Sequence, residues 1–206
     1  MRAILSFFIL SFLLSFTVNA QQSTLPDDDS DDVESYDYQT NLVGAYKILF
    51  KVDDDTEYLY LTKKGKIISE LSSISKGMPH KNLGYVGADF KDYFVLVHSF
   101  GSGNPNQIEL IAKSTGKNII SPAACWIDAD VKKETLLYCD KGVPTPNDKM
   151  ILYNIRTRQK KYFAFPADIF GEPMILGRMK IKKLDSKFLL IEYDIDGDSR
   201  TRRYTF

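Results

Sequence analysis

The stretch Cys125–Asp140, CWIDADVKKETLLYCD, decides how the chain is read. It divides into two short apolar runs, Cys125–Asp130 and Glu134–Cys139, separated by Val131-Lys132-Lys133. In an antiparallel hairpin, facing residues have numbers that sum to a constant. A three-residue loop sets that sum at 264, which brings Cys125 opposite Cys139, the only two cysteines in the chain. Two cysteines directly across a hairpin predict a cross-strand disulfide. Trp126 points to the other side of its strand.

The same hairpin recurs. Tyr85–Val97 (YVGADFKDYFVLV) aligns with Trp126–Cys139, and Lys182–Tyr193 (KKLDSKFLLIEY) repeats the turn and the apolar strand after it. Ala45–Val52 (AYKILFKV) supplies that strand again near the start. With Ile48, Phe94, Leu136 and Phe188 as equivalents, the steps are 46, 42 and 52 residues. Each apolar strand is followed by a polar loop and a second hairpin, at Tyr58–Leu71, Ile108–Ile120 and Met150–Phe165, with Ser199–Phe206 in the last unit. Pro, Gly and Asn punctuate short runs of Val, Ile, Leu, Tyr and Phe throughout, and no amphipathic helix stands out. The expected class is all-β and antiparallel, built of four hairpin-pair repeats.

A four-strand unit repeating at this length resembles the blades of a small β-propeller, over essentially all of the body. No Trp-Asp ending, Gly-His opening or kelch double glycine narrows the resemblance to one propeller family. The resemblance implies closure by Tyr36–Val43, which would complete the last unit. A β-barrel or a sandwich of stacked hairpins fits the same alternation. The blade reading also sorts the loops. Asp53, Asp54, Asp55, His80, Asn104, Asn106, Asp140 and Asp148 would gather on one acidic, Asn- and Gly-rich end, the candidate binding face. Lys63, Lys64, Lys66, Lys91, Lys113, Lys117, Lys132, Lys133, Arg156, Arg158, Lys160 and Lys161 would gather on the opposite end.

Residues 1–20 read as a secretory signal: Arg2, the apolar run Ala3–Phe16, then Val18-Asn19-Ala20 as a cleavage site. That run is shorter than the ~20 residues of a membrane span. Residues 21–35 form an acidic arm, with Asp27, Asp28, Asp29, Asp31, Asp32 and Glu34 and no base, of the composition expected of a disordered leader. Residues 36–206 form a single all-β domain, whose net basic charge together with Arg2 balances the arm so that the whole chain is formally neutral. Such a protein is expected to be secreted or periplasmic, where a disulfide persists.

The chemistry is sparse. Asp194, Asp196 and Asp198 alternate around Gly197, a pattern suited to the oxygen ligands of calcium, but the glycine comes too early for an EF-hand and no Glu stands at the twelfth position. Ordinary hairpin turns use the same residues. Calcium at this loop is therefore the one cofactor to test. His80 and His98 are too few for a zinc site once the cysteines are paired. No Gly-x-Ser-x-Gly elbow, HExxH or phosphate-cradling glycine loop occurs. Core and blade-to-blade packing is the default for the aromatics, with Phe100, Trp126, Tyr162 and Phe170 as candidates for a ring or peptide platform. An exported chain without aromatic–basic interleaving argues against nucleic acid. The sequence points to a non-catalytic exported module, of inhibitor or immunity type, that binds a protein or glycan through its loops. The alternative is a small glycan hydrolase using loop carboxylates.

Overall fold

The computed structural model describes residues 39–172 and 174–206. The signal (1–20), the arm (21–35) and the start of the expected first strand lie outside the described residues.

The described chain is all-β and antiparallel, in four consecutive meanders. The first unit holds β1 (Gln39–Leu42), β2 (Tyr46–Asp53), β3 (Thr56–Lys63) and β4 (Lys66–Ser75). A single helical turn, α1 (His80–Leu83), leads to the second unit: β5 (Tyr85–Asp89), β6 (Tyr93–His98), β7 (Gln107–Ala112) and β8 (Lys117–Asn118). The third holds β9 (Cys125–Asp130), β10 (Thr135–Cys139), β11 (Lys149–Asn154) and β12 (Gln159–Ala164). The fourth holds β13 (Met179–Leu184), β14 (Phe188–Ile195) and β15 (Asp198–Thr205). Within each unit the strands pair in chain order.

Residue choice follows packing. In β3 the run TEYLYLTK alternates, with Glu57, Leu59 and Leu61 buried and Thr56, Tyr58 and Tyr60 half-exposed, until Thr62 is buried too. By contrast β6, YFVLVH, is apolar on both faces because both are covered. Phe94 and Leu96 join the core shared with the first unit, and Val95 and Val97 the core shared with the third. A further cluster joins the third unit to the fourth, through Ile127, Leu137 and Met150 on one side and Leu189, Ile191 and Tyr193 on the other. The four units thus meet across three apolar interfaces, and no such cluster among the described residues joins the first to the fourth. Two hairpins turn on two-residue loops with positive φ at both positions, Lys64-Gly65 (50° and 77°) and Asp196-Gly197 (54° and 86°). That conformation matches strand twist and favours Gly and Asp.

Three expectations change. The N-terminal strand pairs with β2, Gln39 facing Leu49 and Leu42 facing Tyr46, so it completes the first unit and not the last. Closure of a four-unit ring by that strand does not occur. A three-residue turn returning directly into an apolar strand makes the local pairing the shorter-range one, with less chain to order. Phe188 is displaced by one position: its neighbour Leu189 is fully buried, while Phe188 faces outward beneath Arg203.

The third change concerns the central hairpin. Asp130 faces Thr135, so the turn has four residues, and the first pairs sum to 265. A bulge between Leu137 and Tyr138 then restores 264, and Cys139 does face Cys125. The extra residue places Ile127 in the core shared with the fourth unit and also directs Asp128 that way. The Asp128 Oδ2 accepts the Ile181 N–H at 2.6 Å. Bulges commonly re-aim a side chain in this manner. The facing cysteines are both free and buried. Cys139 Sγ donates to the Lys141 carbonyl at 2.9 Å, and Cys125 Sγ lies 3.5 Å from the Ala123 carbonyl. Burial pushes both thiols up, Cys139 to about 12.

Candidate functional site

Contacts between units fix which turns share an end. At one end the β1–β2 turn meets the second unit. Lys113, fully buried, donates from Nζ to the Val43 carbonyl (2.9 Å) and the Phe90 carbonyl (2.6 Å), and pairs with Asp89 Oδ1 at 2.6 Å. Asp89 Oδ2 in turn accepts the Val43 N–H at 2.7 Å. Glycine is required nearby: a Cβ on Gly116 (φ +69°) would lie 2.2 Å from the Ser69 Cβ of β4. At the other end Ser99 N–H donates to the Lys81 carbonyl (2.9 Å) and Trp126 N–H to the Asn106 carbonyl (2.8 Å). The loops therefore sort by end even without a closed ring.

The residues expected to form an acidic binding face lie at turns of this second end, and several are engaged in holding those turns. Asp53 closes β2 opposite Thr56, Asp54 has a φ of 46°, and the Asp55 carbonyl accepts the Lys76 N–H at 2.8 Å. His80 lies 3.5 Å from the fully buried Glu57 and edge-on to Phe50. Asn104 Nδ2 donates to the Gly101 carbonyl at 3.1 Å. Asp148 accepts from Thr145 N–H and Oγ1 and pairs with Lys141 at 3.0 Å, holding its carboxyl down at about 2. Asp140 follows β10 directly and is exposed.

The other candidates separate. Asp194 Oδ1 accepts the Gly197 N–H at 3.1 Å and Asp196 occupies the positive-φ turn, so the Asp194–Asp198 loop serves its hairpin. Among the described residues no group of three or more His, Cys, Asp or Glu is arranged to hold a metal ion. Phe100 stacks on His98, Trp126 packs against the second–third core, Phe170 against the third–fourth core, and Tyr162 is exposed, so the four aromatics form no common platform. His98 has an acceptor at each ring nitrogen, the Asn82 carbonyl at 3.0 Å and Glu109 Oε1 at 3.2 Å. Burial alone would lower its pKa, but these two acceptors outweigh it and raise it.

Two clefts open at the basic end, one on each side of the third unit. The first, about 430 Å³, is lined by Lys91, Asp92 and Tyr93 of the second unit and by Glu134, Arg156 and Arg158 of the third. Arg158 donates to the Tyr93 hydroxyl at 3.3 Å across it. The second, about 370 Å³, lies between Lys133, Gln159 and Lys161 of the third unit and Leu184, Asp185 and Phe206. Lys161 sits 3.6 Å from the centre of the Phe206 ring, and Lys133 Nζ donates to the Leu184 carbonyl. Burial would raise the Asp185 carboxyl, but the N–H groups of Lys187 and Phe188, with Lys183 and Arg203 nearby, hold it below the usual value. Both clefts fall within the usual size range of small-ligand sites, roughly 300–1,000 Å³.

Comparison with known proteins adds nothing to this geometry. No family model matches the chain, and no curated protein does either.

The sequence marks the basic turns but not the clefts. Tyr93, Glu134, Gln159, Asp185 and Phe206 come to them from different units, and no local motif joins them. The basic run Arg156–Lys161 was the available signal, since the consecutive Lys160 and Lys161 face opposite sides of β12.

Proposed function

We propose that this chain is an exported, non-catalytic interaction module that contacts another macromolecule through its turn ends, as an inhibitor or immunity-type protein does. The observation that carries the reading is the charge-sorted display. A scaffold of four packed meanders holds acidic and Asn-rich turns at one end and Lys- and Arg-rich turns, with two clefts, at the other. Many of the carboxylates at both ends are engaged by backbone N–H groups or cations, which fits presentation of a fixed surface. The positively charged start, apolar run and small-residue site of residues 1–20 support export.

In an oxidising compartment the facing thiols of Cys125 and Cys139 form a disulfide, each losing a proton and an electron to a disulfide-donating oxidant. Intact mass after alkylation, with and without reductant, checks this; two freely alkylated cysteines in the exported protein would remove it.

The functional reading is tested with a photo-crosslinker placed in the mature protein at Asn104, or at Lys132, before incubation with extracellular material from the exporting cell. A discrete adduct formed from one end supports it. Reducing-end release from extracellular glycan, abolished when Asp or Glu at either end is neutralised, would replace it with the hydrolase reading.

A further inference from the structure

The turn end of the third unit gathers Lys132 and Lys133 from the β9–β10 turn, Arg156 and Arg158 from the β11–β12 turn, and Lys160 and Lys161 from the start of β12. The register divides them between the two faces of the sheet. Lys160 faces Tyr153, on the side of the second unit, and lies 5.4 Å from the centre of that ring. Lys161 faces Leu152, on the side of the fourth unit, and lies over Phe206. Each cleft therefore receives cations from the same short strand and turn.

Among the described residues Lys91, Lys132 and Arg156 have no anionic partner. The opposing acids are few: Asp92 and Glu134 in the first cleft, and Asp185 in the second, where two backbone N–H groups already engage it. The neighbouring aromatic groups are occupied. Lys161 covers Phe206, Arg203 lies 3.9 Å from the centre of Phe188, and Arg158 holds the Tyr93 hydroxyl. Rings capped by cations fix those cations in place and leave little free face for a nucleic-acid base to stack on. The recognised groups are accordingly anions, spaced along a polymer.

The spacing narrows the polymer. Packed sheets lie about 10 Å apart, so clefts on opposite faces of one sheet are separated by about that distance, the length of a disaccharide repeat. Duplex nucleic acid carries its charges far more densely, about one per 1.7 Å of axis.

We infer that this end of the third unit binds an anionic polysaccharide carrying sulfate or carboxylate groups, with one charged sugar in each cleft; the inference rests on the interaction-module reading. Lys91, Arg156 and Arg158 hold the anion in the first cleft, Lys161 with Gln159 that in the second, and Lys132 bridges them.

The test uses the mature chain and size-defined heparin fragments as the probe, with duplex DNA and poly-glutamate at matched charge. Titration calorimetry is run on the parent and on three variants: K132Q/R156Q/R158Q; K64Q/K66Q, which removes charge from another basic turn; and D27N/D28N/D29N/D31N/D32N, which neutralises the arm. Heparin is expected to bind the parent, or the arm variant if the arm competes, with affinity falling as salt rises. K132Q/R156Q/R158Q should lose on the order of tenfold, and K64Q/K66Q less than about twofold. Lysine-modification footprinting should show Lys91, Lys132 and Lys161 protected, a readout that needs no variant. Equal losses in the two charge variants, binding of DNA or poly-glutamate as tight as heparin, or no binding by parent and arm variant alike would each overturn the inference. A macromolecular adduct at Asn104 together with absent heparin binding would leave the module reading standing and this site refuted.

Discussion

Replacing Lys113 with Met tests how the first two units are held together. The side chain is 1% exposed, and its ammonium reaches two carbonyls from two different turns as well as the Asp89 carboxylate. Methionine keeps the apolar stem but leaves Asp89 with only the Val43 N–H, and leaves the Phe90 and Val43 carbonyls without this donor. Removing one partner of a buried ion pair costs about 3–5 kcal/mol. Asp89 is 22% exposed, and water reaching it places the expected loss near the lower figure, about 3 kcal/mol. For a chain of this size each kcal/mol lowers Tm by about 2–4 °C, so K113M should melt roughly 6–12 °C below the parent. The double variant K113M/D89N removes the stranded charge while Asn still accepts the Val43 N–H. It should recover a large part of the loss, a coupling of about 0.5–3 kcal/mol. Urea unfolding of the mature protein by far-UV circular dichroism gives both quantities. If K113M is within about 0.5 kcal/mol of the parent, as ordinary surface substitutions are, the ion pair does not hold this interface. A double variant less stable than the single would refute the stranded-charge argument.

Gly116→Ala meets Ser69 and a positive φ together, and should lose about 2–4 kcal/mol by the same urea assay. His98 has a folded pKa raised above its unfolded value, so its contribution is fully present below the unfolded pKa of about 6.5. It is lost as pH rises through the folded value. Stability measured from pH 5 to 9 should therefore fall through that window in the parent and stay flatter in H98Q; an identical slope would show that His98 is not the titrating group. Tyr204→Ala removes the hydroxyl that donates to the Ala164 carbonyl at 2.9 Å and the ring beside Phe163. It should weaken the third–fourth interface by about 1.5–3 kcal/mol, read as a shift in urea midpoint with unchanged slope.

What the sequence made legible was set by distance along the chain. Strand alternation and the turn residues report local conformation, so the recurrence of the Ala129-Asp130 turn and its apolar strand yields the four meanders. The facing of Cys125 and Cys139 was also reached, through two compensating errors: a turn one residue longer than expected and a bulge that returns the register. A bulge leaves little trace in composition, because no glycine or other special residue marks Ile127-Asp128 in mid-strand. Closure was misread because the alternation of the sequence Tyr36–Val43 carries no partner identity. The clefts were not legible either. Phe206 and Asp185 reach Lys161 only once the third and fourth units pack, and Tyr93 reaches Arg158 across the second–third interface. The apparent lack of aromatic–basic interleaving holds along the chain and fails in space.

The bulge in the central hairpin has a consequence for how this chain tolerates changes in length. Deleting Ile127 alone would make Asp128 and Trp126 successive partners of Leu137 and Tyr138, giving an uninterrupted hairpin with the cysteines still face to face. Asp128 would keep its side, next to Ile181. Deleting a turn residue such as Lys132 would shorten the loop to three residues and leave the pairs from Asp130–Thr135 to Cys125–Cys139 in place. Deleting a residue of β10 such as Leu136 would instead leave two unmatched residues on β9. Single-residue losses should therefore survive in β9 and in the turn and be purged from β10.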